Sequence, residues 1–421
     1  MLLKLHTKVA LHNLHFSAQP VESDQYAVVR WDTDDSILVG REAYSVLRFL
    51  QQPHTVSEII EKTDLGTKEV ISFLHQLIDM NFVKELDGAL LPDFGTKIHP
   101  WKLPFDRKYL KILTDKNFHI LILVFIVSGL LFGIILPGYL PSYRDFFWTQ
   151  DYLLVLVSMF IIGNIYLFIH ELGHLFTTFA IDGSATMRLS TRFVFLVAET
   201  ESYHLAVVPK VKRYFVYIAG LAVDFFFVSL LYWLIRILDV FFPDLTVLKM
   251  FFKANIVILV SRIIWQYNIY LETDMYNAVS EYLKIDYLRQ SAVTYILHKI
   301  HRLSLLTRIF SHKVAIGHAA AKATTGHIRL SDFTKNQQQY LLVYALVLVT
   351  GFIMIIVDTV LFQLPREYTL IRGSVVKIIT SVQASNLVEV AKSALVILLI
   401  SYQYILIFIT RVRESRNVRR D

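Results

Sequence analysis

The 421-residue chain contains no cysteine. That absence excludes disulfides, thiolate metal sites and cysteine nucleophiles. Charge is also scarce: 18% of residues are Asp, Glu, Lys or Arg, where an ordinary soluble domain carries about 25%. Apolar residues reach 55%, aromatics 14%, and the mean hydropathy is +0.49. This balance excludes a disordered chain and argues against a purely soluble one. The opening residues, Met1-Leu-Leu-Lys-Leu-His6, lack a charged region followed by an apolar core and a small-residue cleavage site, so no cleaved signal peptide is expected. Internal repeats and low-complexity tracts are missing too. The charge that is present leans positive, with 42 Lys+Arg against 35 Asp+Glu. At this hydropathy the excess points to an anionic membrane surface rather than to nucleic acid.

The first ~100 residues have no apolar run long enough to cross a bilayer. Tyr26–Trp31 and Ser36–Val39 read as short strands around the turn Asp32–Asp35. Glu42–Leu50 has helical periodicity, with Ala43, Val46, Leu47 and Leu50 on one face. Thr55-Val-Ser-Glu58 fits a capping box, in which the Thr hydroxyl takes a free backbone N–H and the Glu carboxylate reaches back. A helix over Val56–Lys62 should follow it, then another over Thr67–Met80 and a strand over Phe82–Leu86. This order predicts a small α+β winged-helix domain over residues 1–91. Residues 92–117, which open with a proline-rich stretch, read as a linker.

Long apolar stretches follow. Six membrane helices are expected, near Phe118–Leu136, Tyr152–Ala180, Tyr214–Val240, Phe251–Leu271, Tyr340–Phe362 and Val388–Thr410; each reaches the ~20 residues that span about 30 Å of hydrocarbon. The fold class is thus a mainly α, polytopic membrane protein with an N-terminal α+β domain. Six crossings place both termini on one side. Lys284–Lys335 holds nine Lys+Arg and the tail from Arg411 adds five arginines. The segments 140–151, 241–250 and 363–387, read as external loops, hold one, one and three. Basic loops stay cytoplasmic, so the expected location is the cytoplasmic (inner) membrane, multi-pass, with both termini in the cytoplasm. The parts are then residues 118–290 as the membrane core, 291–339 as a basic cytoplasmic segment, and 340–421 as two final helices with a basic tail.

The second apolar stretch contains Ile169-His170-Glu171-Leu172-Gly173-His174, the pattern H-E-x-x-H. Residues four apart on a helix share a face, so two imidazoles can converge on one zinc ion. Glu171, beside the first ligand, can take a proton from metal-activated water and pass it to a leaving amine. Two histidines and a glutamate in an apolar span cost several kcal/mol unless paired or metal-bound, which favours a site over a chance cluster. A catalytic zinc also needs a third protein ligand and one open position. Candidates are Asp182, Glu199, Glu201, His204, Asp224 and Asp274. Asp182 stands beyond the helix end. Glu199, Glu201 and His204 fall in Thr186–Val208, which alternates like β structure. Asp274 shares the histidines' expected depth near the cytoplasmic boundary and ranks first; Asp224, inside the third span, ranks second.

With Asn268-Ile-Tyr-Leu-Glu-Thr-Asp274-Met-Tyr276, the H-E-x-x-H helix resembles the site-2 protease family of intramembrane zinc metalloproteases, in its bacterial peptide-maturation branch. That branch reads Asn-x-x-Pro-Phe-x-x-x-Asp-Gly-Tyr; the proline and the glycine are missing here. Ala219-Gly-Leu-Ala-Val-Asp224 is similar to the family's Ala-Gly-Pro-x-x-Asn. The resemblance covers roughly residues 150–290. It implies zinc held by His170, His174 and Asp274, Glu171 as catalytic acid/base, Asn268 binding substrate, and Thr186–Val208 as a β segment offering an edge to substrate.

Val28–Leu86 resembles the PqqD-like peptide-recognition domain, whose members bind the leader of a ribosomally made precursor peptide. A DNA-binding winged helix is the weaker reading, because Thr67–Met80 carries one basic residue, Lys68, against Glu69 and Asp79. The function expected is therefore a zinc metalloendopeptidase that cleaves a small precursor peptide near the cytoplasmic membrane face. Its expected partners are that peptide, the lipid bilayer and a peptide-modifying enzyme or exporter, with no nucleic acid. Two alternatives remain: a non-catalytic peptide-binding or transport accessory, and a di-iron oxygenase using His298 and His301 beside the helix pair. The chain contains no His-His pair to support the latter.

Overall fold

A computed structural model describes residues 3–21, 24–63, 65–149, 152–192, 195–285, 287–302, 333–360, 364–383 and 386–417. The protein is mainly helical with a small N-terminal sheet region. It divides into two compact units: Met1–His119 with Gly173–Met187 and Thr200–Val216, and Ile120–Leu172 with Arg188–Glu199 and Tyr217–Asp421.

In the first unit the strands are β1 (Lys8–Leu11), β2 (Leu14–Phe16), β3 (Gln25–Arg30), β4 (Ser36–Gly40), β5 (His54–Thr55), β6 (Val83–Leu86) and β7 (Ala89–Leu90). They form two sheets, ordered β5-β1-β6-β7 and β2-β3-β4. The helices are α1 (Arg41–Phe49), α2 (Val56–Lys62) and α3 (Thr67–Asp79). The apolar faces read from periodicity meet in one core: Val46, Leu47 and Leu50 from the first helix and the residue after it, Val70, Leu74 and Leu77 from the third, with Val28, Ile59, Phe82 and Leu86. Fully burying each such leucine contributes roughly 1.5–3 kcal/mol. The capping box is present: Glu58 N donates to Thr55 Oγ1 at 3.3 Å and Thr55 N to Glu58 Oε2 at 2.9 Å. β3 departs from simple alternation. Ala27, Val28 and Val29 are all fully buried, because Val28 enters this core while Ala27 and Val29 pack against Val207.

The stretch expected as a plain linker is tied down. Arg30, completely buried, donates from Nη2 to Asp93 at 2.5 Å and from Nε to Asp32 at 2.8 Å. Lys97 bonds both carboxylates, Ile98 N donates to Asp32 O, and Trp101 N to Ala185 O. A 3₁₀ helix, Arg107–Thr114, then leads to α4 (Lys116–Ile135).

The remaining elements are α5 (Tyr152–Ala180), β8 (Ser184–Arg192), β9 (Phe195–Tyr203), α6 (Lys210–Phe241), α7 (Thr246–Gln266), α8 (Asp274–Leu283), α9 (Leu288–Arg302), α10 (Lys335–Asp358), α11 (Leu364–Gln383) and α12 (Leu387–Asn417). β8 and β9 form the two-stranded sheet expected from the alternating segment. α4 packs on α6 through small residues. A Cβ on Gly129 would lie 2.5 Å from Ser229 Cβ, and one on Gly133 would lie 2.4 Å from the Tyr232 ring. Ser229 Oγ donates to Ile126 O and Trp233 Nε1 to Ser128 Oγ. Close backbone approach and such hydrogen bonds are what hold helices together where no hydrophobic drive exists.

Five helices among the described residues, rather than six, are long and apolar enough to cross a membrane: 116–135, 153–180, 210–241, 335–357 and 387–410. The expected span Phe251–Leu271 is interrupted. α7 stops at Gln266, Tyr267 caps it, and a separate 3₁₀ turn covers Ile269–Leu271. Lys249, Lys253 and Arg262 also dilute its apolar character. The segment 363–387, read as a loop, contains the twenty-residue helix α11, whose apolar content is too low to flag it as a span. Residues 303–332, most of the basic segment with His312, His318 and His327, lie outside the described residues, as does the end of the fifth expected span beyond 360.

Candidate metal centre

α5 carries the H-E-x-x-H motif deep in its apolar length. His170, Glu171 and His174 are 1%, 6% and 6% exposed. Buried polar groups need partners, and both imidazoles have them. His174 Nδ1 lies 2.7 Å from the Val216 carbonyl oxygen. A carbonyl only accepts, so Nδ1 carries a proton, and in the neutral ring Nε2 carries the lone pair. Thr178 Oγ1 donates to the His174 carbonyl at 2.8 Å, fixing the next turn of the helix. His170 sits between two carboxylates: Nδ1 is 2.8 Å from Asp224 Oδ2 and Nε2 is 3.0 Å from Asp274 Oδ2.

Asp274 reaches this place by a sharp reversal after α7. Asn268 N donates to Trp265 O, Leu271 N to Asn268 O, and Glu272 turns the chain with φ of 54°. Thr273 Oγ1 donates to Gln266 O at 2.6 Å. Asp274 then opens α8 in its first turn, where a helix favours an acidic residue. Tyr344 on α10 donates to Ile269 O at 3.2 Å. Gly351 lets Tyr270 lie where any Cβ would clash, at 2.4 Å. Together these contacts hold the turn that presents the carboxylate.

His170, His174 and Asp274 each offer one ligand atom, and these atoms all lie within 4.8 Å of one another. The other candidates stand elsewhere. Glu199 pairs with Arg188 at 2.9 Å, and Glu201 accepts from Tyr203. Asp182 occupies a turn residue with φ of 66°. His204, also left-handed with φ of 63°, stacks on Trp31 with ring centroids 4.4 Å apart, and Asp34 accepts from its backbone N–H. Asp224 is on the opposite nitrogen of His170 from Asp274. His298 and His301 fall on α9, and their side chains lie outside the described residues.

Asn268 is half-buried and starts the 3₁₀ turn, while Gln266 faces the site. Gln266 Oε1 accepts from Asp274 N at 3.3 Å, and its Nε2 is 3.4 Å from His170 Nε2. The spacing Asn-x-x-Pro-Phe-x-x-x-Asp, eight residues from asparagine to aspartate, falls on Gln266 and could have found it. Sequence patterns do not single out Arg262, whose Nε is 3.5 Å from Asp224 Oδ1; a cation on an apolar helix is its signal.

A second set, His12, Asp32 and Asp93, also brings ligand atoms within 4.8 Å. Arg30 and Lys97 already pair with both carboxylates. Burial, then Arg30, pushes the His12 imidazole down. Burial pushes Asp32 up, but hydrogen bonds from Arg30 and Lys97 outweigh it and leave the carboxyl at about 2. That cluster is an ion-pair network, not a cation site. No protein-family model, curated protein or solved structure matches this chain.

Proposed function

We propose that the chain is a membrane-embedded zinc endopeptidase, of the site-2 protease type, that cleaves a small ribosomally made precursor peptide. The observation that carries the reading is the convergence of His170, His174 and Asp274 within 4.8 Å, with the two histidines buried and each Nδ1 already held by an acceptor. Two imidazole nitrogens and one carboxylate are a donor set that suits zinc and leaves one position open. His170 and His174 through Nε2, and Asp274 through Oδ2, would hold the ion. When bound, zinc polarises the scissile carbonyl and acidifies the attacking water.

The residues supply the rest. Glu171, one position from His170 and nearly buried, takes the proton of the attacking water as its oxygen bonds to the carbonyl carbon. It returns that proton to the departing nitrogen as the C–N bond breaks, and the second water proton stays on the new acid, so water and peptide yield a carboxylic acid and an amine. Gln266, anchored through Oε1 on the Asp274 amide, aims its amide N–H₂ into the same space and can donate to a substrate carbonyl. Substrate delivery falls to the N-terminal domain. β4 is an edge of its sheet, with Leu38 half exposed, and an extended peptide can add there as a further strand. Five helices among the described residues, long and apolar enough to cross a membrane, support a reaction at the bilayer. Lys284, Arg289 and the five arginines from Arg411 onward support a cytoplasmic side for the face they adjoin.

The test is hydrolysis in a producing cell. Glu171→Gln should retain bound metal but leave precursor uncleaved, with a rate loss of about 10²–10⁴. Unchanged precursor processing in this variant would overturn the proteolytic role.

A further inference from the structure

We propose that Asp224 is a positioning residue which, with Arg262, fixes the ring of His170 for metal binding, and that it is not itself a ligand. The inference rests on the zinc reading above. An imidazole can give a metal one nitrogen only; the other must be satisfied by a hydrogen-bond acceptor. His170 meets a carboxylate at each nitrogen, so one of the two acids shares the ion and the other orients the ring. Asp274, on Nε2, belongs to the set that includes His174; Asp224, on Nδ1, does not.

The surroundings of Asp224 fit that division of labour. It is 1% exposed and comes from α6, whereas His170 comes from α5 and Arg262 from α7. Oδ2 takes the imidazole N–H at 2.8 Å. Oδ1 faces Arg262 Nε at 3.5 Å, and that Nε is buried without a hydrogen bond. The contact with Arg262 is therefore one of charge, compensating a carboxylate that would otherwise be buried without a cation. Asp224 from α6 thus holds the ring carried by α5, and Arg262 from α7 faces the other oxygen of that carboxylate. Partners of this kind orient a ligating histidine, and removing one lowers metal affinity 10–100-fold.

The experiment uses the full chain in detergent, loaded with Zn²⁺ and titrated against a competing chelator, with Co²⁺ absorption as a second readout. Asp224→Ala should bind zinc 10–100-fold more weakly than wild type. Asp224→Asn, whose amide oxygen can still accept from Nδ1–H, should bind close to wild type and keep its cobalt spectrum. Asp274→Asn should lose metal and change the spectrum, because it alters the ligand set. If Asp224→Asn behaves like Asp274→Asn, Asp224 is a ligand and the proposal fails. If Asp224→Ala binds as wild type, the positioning role fails while the zinc reading stands. Wild-type protein that binds no zinc overturns both. Should Asp224→Ala not fold, the comparison of the two asparagine variants still decides.

Discussion

Removing Asp93 should loosen the segment that follows the N-terminal domain without unfolding the domain. One carboxylate there accepts from Arg30 Nη2 at 2.5 Å, Asn81 Nδ2 at 2.9 Å, Gly95 N at 3.1 Å and Lys97 Nζ at 2.6 Å. Arg30 has no exposed surface, whereas Lys97 is 44% exposed. The loss at Lys97 is a surface matter of a few tenths of a kcal/mol. The loss at Arg30 strands part of a buried cation, which costs about 1–3 kcal/mol for a charged group left short of a partner. Asp93→Ala should therefore cost about 1–3.5 kcal/mol in all. Arg30→Met combined with Asp93→Ala should cost less than the two single changes summed, because it removes the buried charge together with its partner. Native-state hydrogen exchange in the full chain, read on β3, β6 and residues 93–101, measures these opening energies. Strictly additive single changes would refute the argument that a buried charge is what the network satisfies. Hydrogen bonding by Arg30 holds Asp93 far below the usual carboxylate range, and Asp32 sits at about 2. The network's contribution is thus fully present above about pH 4 and fades only as pH falls through those depressed values.

Other outcomes follow from the same geometry. Gly129→Ala would set a Cβ 2.6 Å from the Ser229 Cα, so α4 and α6 must separate; overpacking of this kind costs about 1–3 kcal/mol, and thermal unfolding in detergent should show a lower midpoint. Burial raises the Asp34 carboxyl to about 6, against an opposing hydrogen bond from His204 N. An acid raised on folding stabilises the protonated state, so its contribution is full at low pH and is lost as pH rises through about 6. Asp34→Asn should then gain about 3 kcal/mol over wild type between pH 3.5 and pH 7.5, read as slower exchange of the backbone around residues 203–208. A pH-independent difference would show that the carboxyl is not desolvated there.

Much of the N-terminal domain is legible in the sequence because its signals are local. The capping box at Thr55, the 3.6-residue faces of α1 and α3 and the turn at Asp32–Asp35 are each set by residues within a few positions. β1, β2 and the double burial of β3 are not, since they depend on partners far along the chain, Phe82 and Val207 among them. In the helical region, hydropathy locates the long apolar runs but misplaces α7 and overlooks α11, where charge is interspersed and only packing sets the ends. At the site, the i, i+4 spacing identifies the histidine pair outright. Asp274 could be ranked only by depth, and Gln266 and Arg262 appear only when three helices and a turn are brought together.

Zinc content is the measurement closest to the central claim. Full-length protein purified in detergent without chelator should carry about one zinc per chain, and His170→Ala with His174→Ala should carry none. A metal-free wild type after zinc supply, or zinc retained by the double variant, would contradict it.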